Sequence, residues 1–434
     1  MGSTASVLGG WLQALSVYRD RRMGIILLLG FSSGLPLALT FGTLSLWLAE
    51  AGVDKATIGL FAMAGLPYTV KFLWAPLVDR MPLPWLSRHL GRRRAWGLAS
   101  QGGLILCILA LGQADPRTDP AATALWALLT AWFSATQDIV IDAYRVEILD
   151  SDSYGAGAAM GVLGYRLGML ASGAGALYLA AAWGWQAAYE VMALLAGVGL
   201  MTLLLAREPP LPHGSLPQGG QGIRAWLREA VWRPLAEFLS RRGAVAILGF
   251  ILLYKMGDAL AGVMSNPFYA DLGFSKTEIA EVSKLFGMGA TLLGSVLGGV
   301  VVKRLGVQGA LLLCGVLQLA SNLVFMVQAQ VGRDIVLLMV TIGFENLAGG
   351  MGSAAFVAYL SGLCHVAYTA TQYALLSSLM SFGRTLLSSS GGWLAEHLGW
   401  TPFFLLTALA ALPGLLLLLW LRRRGMTGTA PVLE

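Results

Sequence analysis

Charged residues are scarce in this chain of 434 residues, because Asp, Glu, Lys and Arg together make up only 12% of it. Soluble domains carry about 25%. With 56% hydrophobic residues, the chain has more apolar surface than a water-soluble fold can bury. The 3 cysteines and 4 histidines are scattered, which argues against a disulfide framework and a Cys/His zinc site. We therefore expect a membrane environment, no metal and no cofactor.

Long apolar runs explain this composition. A bilayer core about 30 Å thick needs roughly 20 apolar residues in each spanning helix. The runs that reach this length lie at 23–49, 56–78, 95–113, 121–146, 154–181, 185–206, 243–269, 277–302, 308–330, 335–362, 366–394 and 400–421. The sequence therefore predicts an all-α membrane protein with about twelve transmembrane helices.

Lysine and arginine are distributed unevenly between the two sides that these spans define. Loops on one side carry 20 of them, and loops on the other side carry 4. Because basic loops stay in the cytoplasm, both termini are predicted to be cytoplasmic. The net charge of +6 thus reflects membrane topology, and the dispersed basic residues predict no nucleic-acid partner.

The longest polar stretch divides the spans into two groups of six. It runs from Arg207 to Pro234, begins rich in Pro and Gly, and ends as a predicted amphipathic helix on the cytoplasmic face. The predicted organisation is a cytoplasmic N-terminal segment (1–22), a first six-helix half (23–206), a cytoplasmic linker (207–242), a second six-helix half (243–421) and a cytoplasmic tail (422–434).

The two halves repeat each other at the level of short motifs. "EAGVDKATIG" at 50–59 matches "DLGFSKTEIA" at 271–280, and "GYRLG" around Arg166 matches "FGRTL" around Arg384. "GW" recurs at 184 and 399, and these offsets all lie between 215 and 221 residues. Repeated halves with a site at their interface are typical of secondary transporters. The pattern predicts two six-helix pseudo-repeats, like those of the major facilitator fold.

A loop motif points the same way. "APLVDR" at 75–80, followed after an insertion by "GRRR" at 91–94, resembles the acidic and basic motif that major facilitators carry after their second helix. The resemblance implies that Asp79, Arg80 and Arg92 latch the cytoplasmic side. Arg145, at the cytoplasmic end of the fourth span, is assigned to the same gate.

Two aspartates lie inside the fourth span, in "ATQDIVIDAYR" at 135–145. Asp138 and Asp142 are four residues apart and lie about 40° apart on one helix face. A charge at bilayer depth costs roughly 2.5–3.5 kcal/mol, and neighbouring carboxylates repel each other, so that one readily binds a proton. One hypothesis is that the pair couples transport to protons. The other is that Asp142 pairs with Arg145, or with Arg80 and Arg92, and locks the gate.

Further polar side chains at membrane depth are candidates for binding a substrate. Arg166 offers a two-pronged match to a carboxylate, whereas Lys71 and Lys255 act as point charges. Lys255 and Asp258 are three residues apart and could instead pair with each other. The full set of candidate substrate-binding residues is Lys71, Gln137, Tyr144, Arg166, Lys255, Asp258, Glu345, Asn346, Gln372 and Arg384.

Several stretches resemble the AmpG family of muropeptide permeases, among them "GFSSGLPLALTFGTL", "KFLWAPLVDR", "SATQDIVIDAY", "GAGAAMGVLGYRLGML" and "ENLAGGMGSAAFVAYL". The resemblance covers nearly the whole chain. It implies a permease of the bacterial inner membrane that imports GlcNAc-1,6-anhydroMurNAc-peptides for peptidoglycan recycling, driven by the proton gradient. In some bacteria this traffic governs β-lactamase induction and so antibiotic resistance. Asp138 and Asp142 match the family's helix 4 motif, and Arg166 matches its helix 5 motif.

Two alternatives remain open at this stage. A related facilitator for another organic anion, a peptide or an acyl-CoA would share most of these features. A membrane-embedded cell-wall enzyme would need a nucleophile with its base or a metal site, yet no H-E-x-x-H or G-x-S-x-G motif occurs. We therefore predict no enzyme. The predicted partners are the anhydromuropeptide, protons and membrane lipids, and we expect a monomer that works by alternating access.

Overall fold

A computed structural model describes residues 15–54, 57–58, 61–210, 228–388 and 390–426. Within these ranges all regular secondary structure is helical, as predicted. Eight of the described helices are long and apolar enough to cross a membrane, judged by length and composition. One of these eight contains two spans that meet at Gly306, and the remaining spans are broken into shorter pieces.

We number the spans α1–α12. The first half contains α1 (Arg21–Thr40 and Gly42–Glu50), α2 (Ala62–Gly65, Leu66–Val70, Lys71–Leu73 and Ala75–Arg80), α3 (Arg92–Gln113), α4 (Pro120–Ile148), α5 (Tyr154–Leu170, Ala171–Gly175 and Ala176–Trp183) and α6 (Trp185–Leu205). The second half contains α7 (Ala244–Leu253 and Met256–Asp271), α8 (Lys276–Ile279, Ala280–Phe286 and 287–305), α9 (307–331), α10 (Ile335–Leu363), α11 (Thr369–Ser388 and Gly391–Leu398) and α12 (Trp400–Ala410 and Leu412–Arg423).

Short helices precede the first span or connect later ones. They are Ser16–Arg19, Leu86–Leu90, Ser151–Ser153, Arg228–Trp232, Arg233–Ser240 and Val366–Tyr368. The helix Arg233–Ser240 lies within the predicted linker and begins where the stretch predicted to be amphipathic ends, and it buries Phe238 in the core of the second half. Parts of three predicted segments lie outside the described residues: 1–14 of the N-terminal segment, 211–227 of the linker and 427–434 of the tail.

The predicted repeat is visible in the backbone. Gly91 and Gly306 precede α3 and α9 with φ of 87° and 69°, and Gly184 and Gly399 precede α6 and α12 with φ of 87° and 74°. Each pair is 215 residues apart. Glycine adopts positive φ without the steric cost that a Cβ brings. Equivalent glycines therefore turn the chain in the same way before equivalent helices.

A side-chain hydrogen bond also repeats between the halves. Trp185 donates its indole N–H to Glu50 over 2.8 Å, and Trp400 donates to Asp271 over 3.1 Å. Each bond joins the end of the first helix of a half to the start of the sixth. The two halves therefore share local chemistry as well as topology, which confirms the prediction of two six-helix pseudo-repeats.

Close packing of α1 against α5 depends on glycine. A Cβ on Gly34 would lie 2.0 Å from the carbonyl oxygen of Tyr165, and a Cβ on Gly164 would lie 2.1 Å from that of Leu27. Because both obstacles are backbone atoms, neither helix can yield without moving as a whole. Small residues allow this kind of close approach between membrane helices.

Gly34→Ala is therefore expected to destabilise the folded protein by about 1–3 kcal/mol, the usual cost of overpacking a core. The measurement is thermal unfolding of purified protein in detergent. Gly24→Ala on the same helix is the matched control, since a Cβ there meets nothing within 4 Å. Equal melting temperatures for the two variants would contradict this account of the α1–α5 contact.

The two halves contact each other at one end of the helix bundle, which we call the arginine-rich end because Arg80, Arg92, Arg93, Arg94 and Arg145 lie at the helix ends there. The Tyr18 hydroxyl donates to the carbonyl oxygen of Val296 over 2.8 Å. Lys303 lies 3.3 Å from Asp152. These bonds close the space between the halves at this end.

Candidate functional site

A cavity of about 180 Å³ lies between the halves, and we call it the central cavity. Six of the ten predicted substrate-binding residues line it: Arg166, Lys255, Asp258, Glu345, Asn346 and Arg384. They come from α5, α7, α10 and α11, so that both halves contribute charge. Positions more than two hundred residues apart in sequence therefore form one charged site.

A break in α7 positions two of these side chains. The helix stops at Leu253 and starts again at Met256, and Lys255 lies in between with non-helical φ and ψ. Its amine donates to the Ser353 hydroxyl over 3.1 Å and lies 3.8 Å from the Asp258 carboxylate. The structure therefore contains the internal pair that the spacing allowed, and this pair faces the cavity.

A chain of polar contacts links α8 to α10 on another wall. Thr291 donates its hydroxyl to the Asn346 amide oxygen over 2.7 Å. The Asn346 amide nitrogen donates to Glu345 over 2.8 Å and to the carbonyl oxygen of Ile342 over 2.9 Å. Asn346 is thus fully engaged and holds the Glu345 carboxylate in place.

Two repeat-related arginines complete the cavity. Arg166 is half-buried and Arg384 is exposed, and both line the same space. Neither guanidinium has a hydrogen bond or an ion pair with any residue that the structure describes. Since a guanidinium carries five N–H donors and always keeps its charge, the two are available to an anionic ligand.

The two aspartates of α4 form a second site beside α2. Lys71 lies 4.0 Å from an oxygen of Asp138 and 3.9 Å from an oxygen of Asp142. Its backbone is in a 3₁₀ segment that interrupts α2, and its side chain is almost fully buried. Ser33 on α1 donates its hydroxyl to Asp138 over 2.5 Å. One lysine is therefore shared between two carboxylates.

Asp142 is also connected to the interface between the halves. Arg145 lies 3.0 Å from it and one turn closer to the arginine-rich end. The Arg145 guanidinium lies over the ring of Tyr373 on α11, 5.2 Å from the ring centroid. A path of direct contacts thus runs from the Lys71 site to the second half.

Asp79, at the end of α2, holds the start of α11. Its carboxylate accepts hydrogen bonds from the backbone N–H groups of Ala370 over 3.2 Å and Thr371 over 2.7 Å, and from the Thr371 hydroxyl over 2.7 Å. The N-terminal end of a helix has unpaired N–H groups and a positive dipole, which favour a carboxylate. This contact joins the two halves at the arginine-rich end.

The arginine that pairs with Asp79 is Arg93. It lies 2.7 Å from Asp79 and 2.5 Å from Glu147, and all three side chains are at most 2% exposed. Arg92 donates to the backbone carbonyl oxygen of Asp79. The Arg80 guanidinium lies 5.0 Å from the ring centroid of Tyr368 on the other half. All four predicted gate residues, Asp79, Arg80, Arg92 and Arg145, therefore lie at or near the contact between the halves.

Sequence reasoning missed Arg93 and Glu147. "GRRR" offers three neighbouring arginines, and the spacing across the inserted loop does not select one of them. Glu147 did carry a signal, because it lies in the last turn of α4. A carboxylate is unfavourable at the negative end of the helix dipole. Its presence there indicates a cation nearby.

Three predicted substrate-binding residues lie away from the central cavity and connect helices. Gln137 donates to Ser32 and Gln101 at the α1–α3–α4 contact. Tyr144 donates its hydroxyl to the carbonyl oxygen of Arg207. The contacts of Gln137 and Tyr144 do not support a role in substrate binding, which stays a prediction.

Gln372 is the third of these residues. Its amide nitrogen donates to Glu237 over 2.6 Å and to the carbonyl oxygen of Pro234 over 3.0 Å, and its amide oxygen accepts from the backbone N–H of His365. Gln372 thereby holds the linker helix Arg233–Ser240 against the start of α11. The fourth residue outside the cavity, Lys71, belongs to the aspartate site.

Comparisons with known proteins agree with this architecture. Residues 26–260 and 246–433 match the family model described as Major Facilitator Superfamily. The chain is 43% identical over 413 residues to the Anhydromuropeptide permease of Escherichia coli strain K12, covering 95% of this chain and 82% of that protein. It is 36% identical over 410 residues to the Putative transporter AmpG 4 of Rickettsia felis, covering 94% and 98%.

Solved structures share the fold at low sequence identity. The human organic anion transporter MFSD10 superimposes with a TM-score of 0.64 at 16% identity, covering 94% of this chain and 99% of that one. A variant of the E. coli Fucose:proton symporter FucP superimposes with a TM-score of 0.69 at 11% identity, covering 92% and 98%. At these identities the likeness concerns the fold alone.

Proposed function

The chain belongs to the AmpG family of the Major Facilitator Superfamily, a superfamily of membrane transporters and not of enzymes, and we propose that it imports anhydromuropeptides in symport with protons. The observation that carries this proposal is 43% identity over 95% of the chain to an anhydromuropeptide permease. The relatives support a muropeptide transporter. Proton coupling and the roles of individual residues are our proposals.

The chemistry of the central cavity supports this class of substrate. A muropeptide carries carboxylates on its peptide and hydroxyl and amide groups on its sugars. Arg166, Arg384 and Lys255 supply positive charge, and arginine binds a carboxylate through two parallel hydrogen bonds. On the same walls, Ser353 holds the Lys255 amine and Asn346 holds the Glu345 carboxylate. We therefore place the peptide carboxylate between the two arginines.

The arrangement of the halves supports alternating access. The contacts between them at the arginine-rich end close that side, and the charged cavity lies between the halves beyond those contacts. Transporters of this kind move substrate by rocking the halves around a central site. We assign the arginine-rich end to the cytoplasm by the positive-inside rule, so that this conformation faces outward across the bacterial inner membrane.

Uptake into proteoliposomes tests the function. Purified protein is reconstituted, an inward proton gradient is imposed, and accumulation of radiolabelled anhydromuropeptide is measured. We expect accumulation that needs the gradient and collapses with a protonophore. Accumulation without a gradient would remove proton symport. Absence of muropeptide uptake, together with uptake of an acyl-CoA or another organic anion, would replace the proposed substrate.

Arg166→Ala and Arg384→Ala are each expected to weaken muropeptide binding about 10- to 100-fold, because a hydrogen bond to a charged group contributes roughly 1.5–3 kcal/mol. The measurement is isothermal titration calorimetry in detergent. Arg88→Ala is the control, since Arg88 is an exposed arginine in the short helix Leu86–Leu90, far from the cavity in sequence. Unchanged affinity in both cavity variants would exclude the arginines as carboxylate ligands.

A further inference from the structure

We infer that Glu345 is a proton-binding carboxylate of the central cavity, and that its protonation frees Arg166 and Arg384 to bind an anionic substrate. The inference rests on the proposed function, whose proton-coupling residues are Asp138 and Asp142. It adds a third carboxylate and gives it a different task, which is to compete with the substrate.

Glu345 differs from the other carboxylates deep within the spans. Asp138, Asp142 and Asp258 each have a lysine or arginine nitrogen within 4.0 Å of a carboxylate oxygen. Among the residues that the structure describes, Glu345 has no such partner, although it lines a cavity that also contains three cations. Most of its surface is withdrawn from water. An ionised carboxylate in such a place normally has a cationic partner.

The contacts of Glu345 suit a neutral carboxyl group. Its one hydrogen bond in the described structure comes from the amide of Asn346, a neutral donor, over 2.8 Å. Asn346 is itself anchored by Thr291 on α8, so that Glu345 is held on its own helix. One neutral hydrogen bond does not compensate for removing a carboxylate charge from water. A bound proton removes that cost.

The charged and titratable groups around Glu345 come from three other helices. Helix α7 contributes Lys255, Asp258 and Tyr269, which interact electrostatically with Glu345. Helix α5 contributes Arg166, which does the same. Lys255 is already engaged by Asp258 at 3.8 Å. Asp258 repels an ionised Glu345, and Arg166 attracts it.

The third of these helices is α11, which contributes Arg384. This arginine lines the same cavity as Glu345 and Arg166. Because Lys255 is engaged by Asp258, the two unpaired arginines are the cations left for Glu345.

Competition for these arginines gives a coupling rule. When Glu345 holds a proton, the arginines are free and the carboxylate of a substrate can bind them. When the proton leaves toward the cytoplasm, ionised Glu345 becomes a partner for the arginines and displaces the substrate. Ionised Glu345 then offsets part of the positive charge of the empty cavity, which favours the return of the empty carrier. Proton and substrate therefore cross together.

Chemical labelling tests the protonation state without any substrate. The O–H of a protonated carboxyl in apolar surroundings adds across a C=N bond of dicyclohexylcarbodiimide, and the resulting O-acylisourea rearranges to a stable N-acylurea, which mass spectrometry locates. We expect Glu345 to be labelled at pH 7 and the labelling to decline as pH rises. Glu147 is the matched control, since it is also buried but lies 2.5 Å from Arg93. Absence of the Glu345 adduct at pH 7 would overturn the inference.

Binding measurements test the competition. Wild-type affinity for the anhydromuropeptide is expected to fall at least about tenfold between pH 6 and pH 9 as Glu345 ionises. Glu345→Gln should bind with the same affinity across this range, lose gradient-driven accumulation and keep substrate exchange. Glu190→Gln, at an exposed site on α6, should behave like wild type. Equal pH dependence in wild type and Glu345→Gln would overturn the inference.

The two tests separate this inference from the proposed function. A wild-type protein that binds no anhydromuropeptide at any pH would remove the proposed substrate, and the labelling result would still decide whether Glu345 carries a proton.

Discussion

Asp138→Asn is expected to abolish net proton-driven accumulation of the muropeptide and to leave exchange of substrate across the membrane intact. Lys71 lies midway between Asp138 and Asp142, at 4.0 and 3.9 Å. When Asp138 is ionised, the lysine is shared. When Asp138 is neutral, Lys71 is drawn to Asp142 and competes with Arg145, which lies over Tyr373 of the other half. We therefore expect protonation of Asp138 to loosen the contact between Asp142 and Arg145.

An asparagine at 138 mimics the protonated state permanently. The loaded carrier can still cross in both directions, so exchange continues. In the empty carrier, Lys71 cannot return to its position between two ionised carboxylates. The empty carrier therefore does not return across the membrane, and net accumulation stops. The same proteoliposomes give both results, by comparing gradient-driven uptake with uptake against a preloaded, unlabelled substrate.

Two neighbouring variants assign the roles within the aspartate site. Ser33→Ala removes the hydrogen bond to Asp138 and keeps the carboxylate, so gradient-driven uptake should persist. Asp142→Asn removes the partner of Arg145 at 3.0 Å and should alter the balance between outward and inward conformations. Gradient-driven accumulation at the wild-type level in Asp138→Asn would exclude Asp138 as a coupling residue.

Asp79→Asn is expected to shift the protein strongly toward the inward-facing conformation. The Asp79 carboxylate accepts three hydrogen bonds from the start of α11 and pairs with Arg93 at 2.7 Å, in a site that is 1% exposed. The pair with Arg93 lies within the first half, whereas the contact with the start of α11 crosses between the halves, and each hydrogen bond to a charged group contributes about 1.5–3 kcal/mol. Because this contact exists only while the arginine-rich end is closed, the ratio of inward to outward populations should rise about 100-fold or more.

Electron spin resonance distances can measure this shift. Spin labels at Thr118→Cys and Arg333→Cys report the distance between equivalent loops of the two halves. These loops lie at the end of the bundle opposite to the arginine-rich end. The three native cysteines are buried and do not compete for the label. We expect the distance distribution to become shorter in Asp79→Asn. Asp152→Asn is the matched control, because Asp152 also pairs across the halves, with Lys303 at 3.3 Å, but is 82% exposed.

Exposed ion pairs contribute about 0–1 kcal/mol, so the control should keep the wild-type distances. If Asp79→Asn kept them as well, the outward conformation would have to be held by the other contacts between the halves, such as those of Tyr18 and Arg80.

Part of the site was predictable from the sequence because it depends on residue spacing along one helix and on the internal repeat. Asp138 and Asp142 share a helix face through their spacing, and Lys255 and Asp258 pair through theirs. The internal repeat makes Arg166 and Arg384 equivalent positions, and the structure places both at one cavity. These inferences needed only helical periodicity and internal symmetry.

Other parts depended on partners that are distant in sequence. Gln372 and Tyr144 are polar residues in apolar helices and were therefore predicted to bind substrate. In the structure, Gln372 binds the linker helix and Tyr144 binds a backbone carbonyl oxygen. Lys71 has no acid near it in sequence, and it lies between two acids of α4. A buried polar group must find some partner, and sequence periodicity gives its helix face but not that partner.

The sequence by itself determined the membrane environment, the number and order of the spans, and the repeated halves, since these follow from the length of apolar runs and from local motifs. Only the tertiary structure decided which arginine pairs with Asp79, which polar residues face the cavity and which carboxylate deep within the described spans has no cation within 4.0 Å. The physical reason is that burial and pairing energies are set by atoms within a few ångströms, and in a bundle of twelve helices most of those atoms come from other helices.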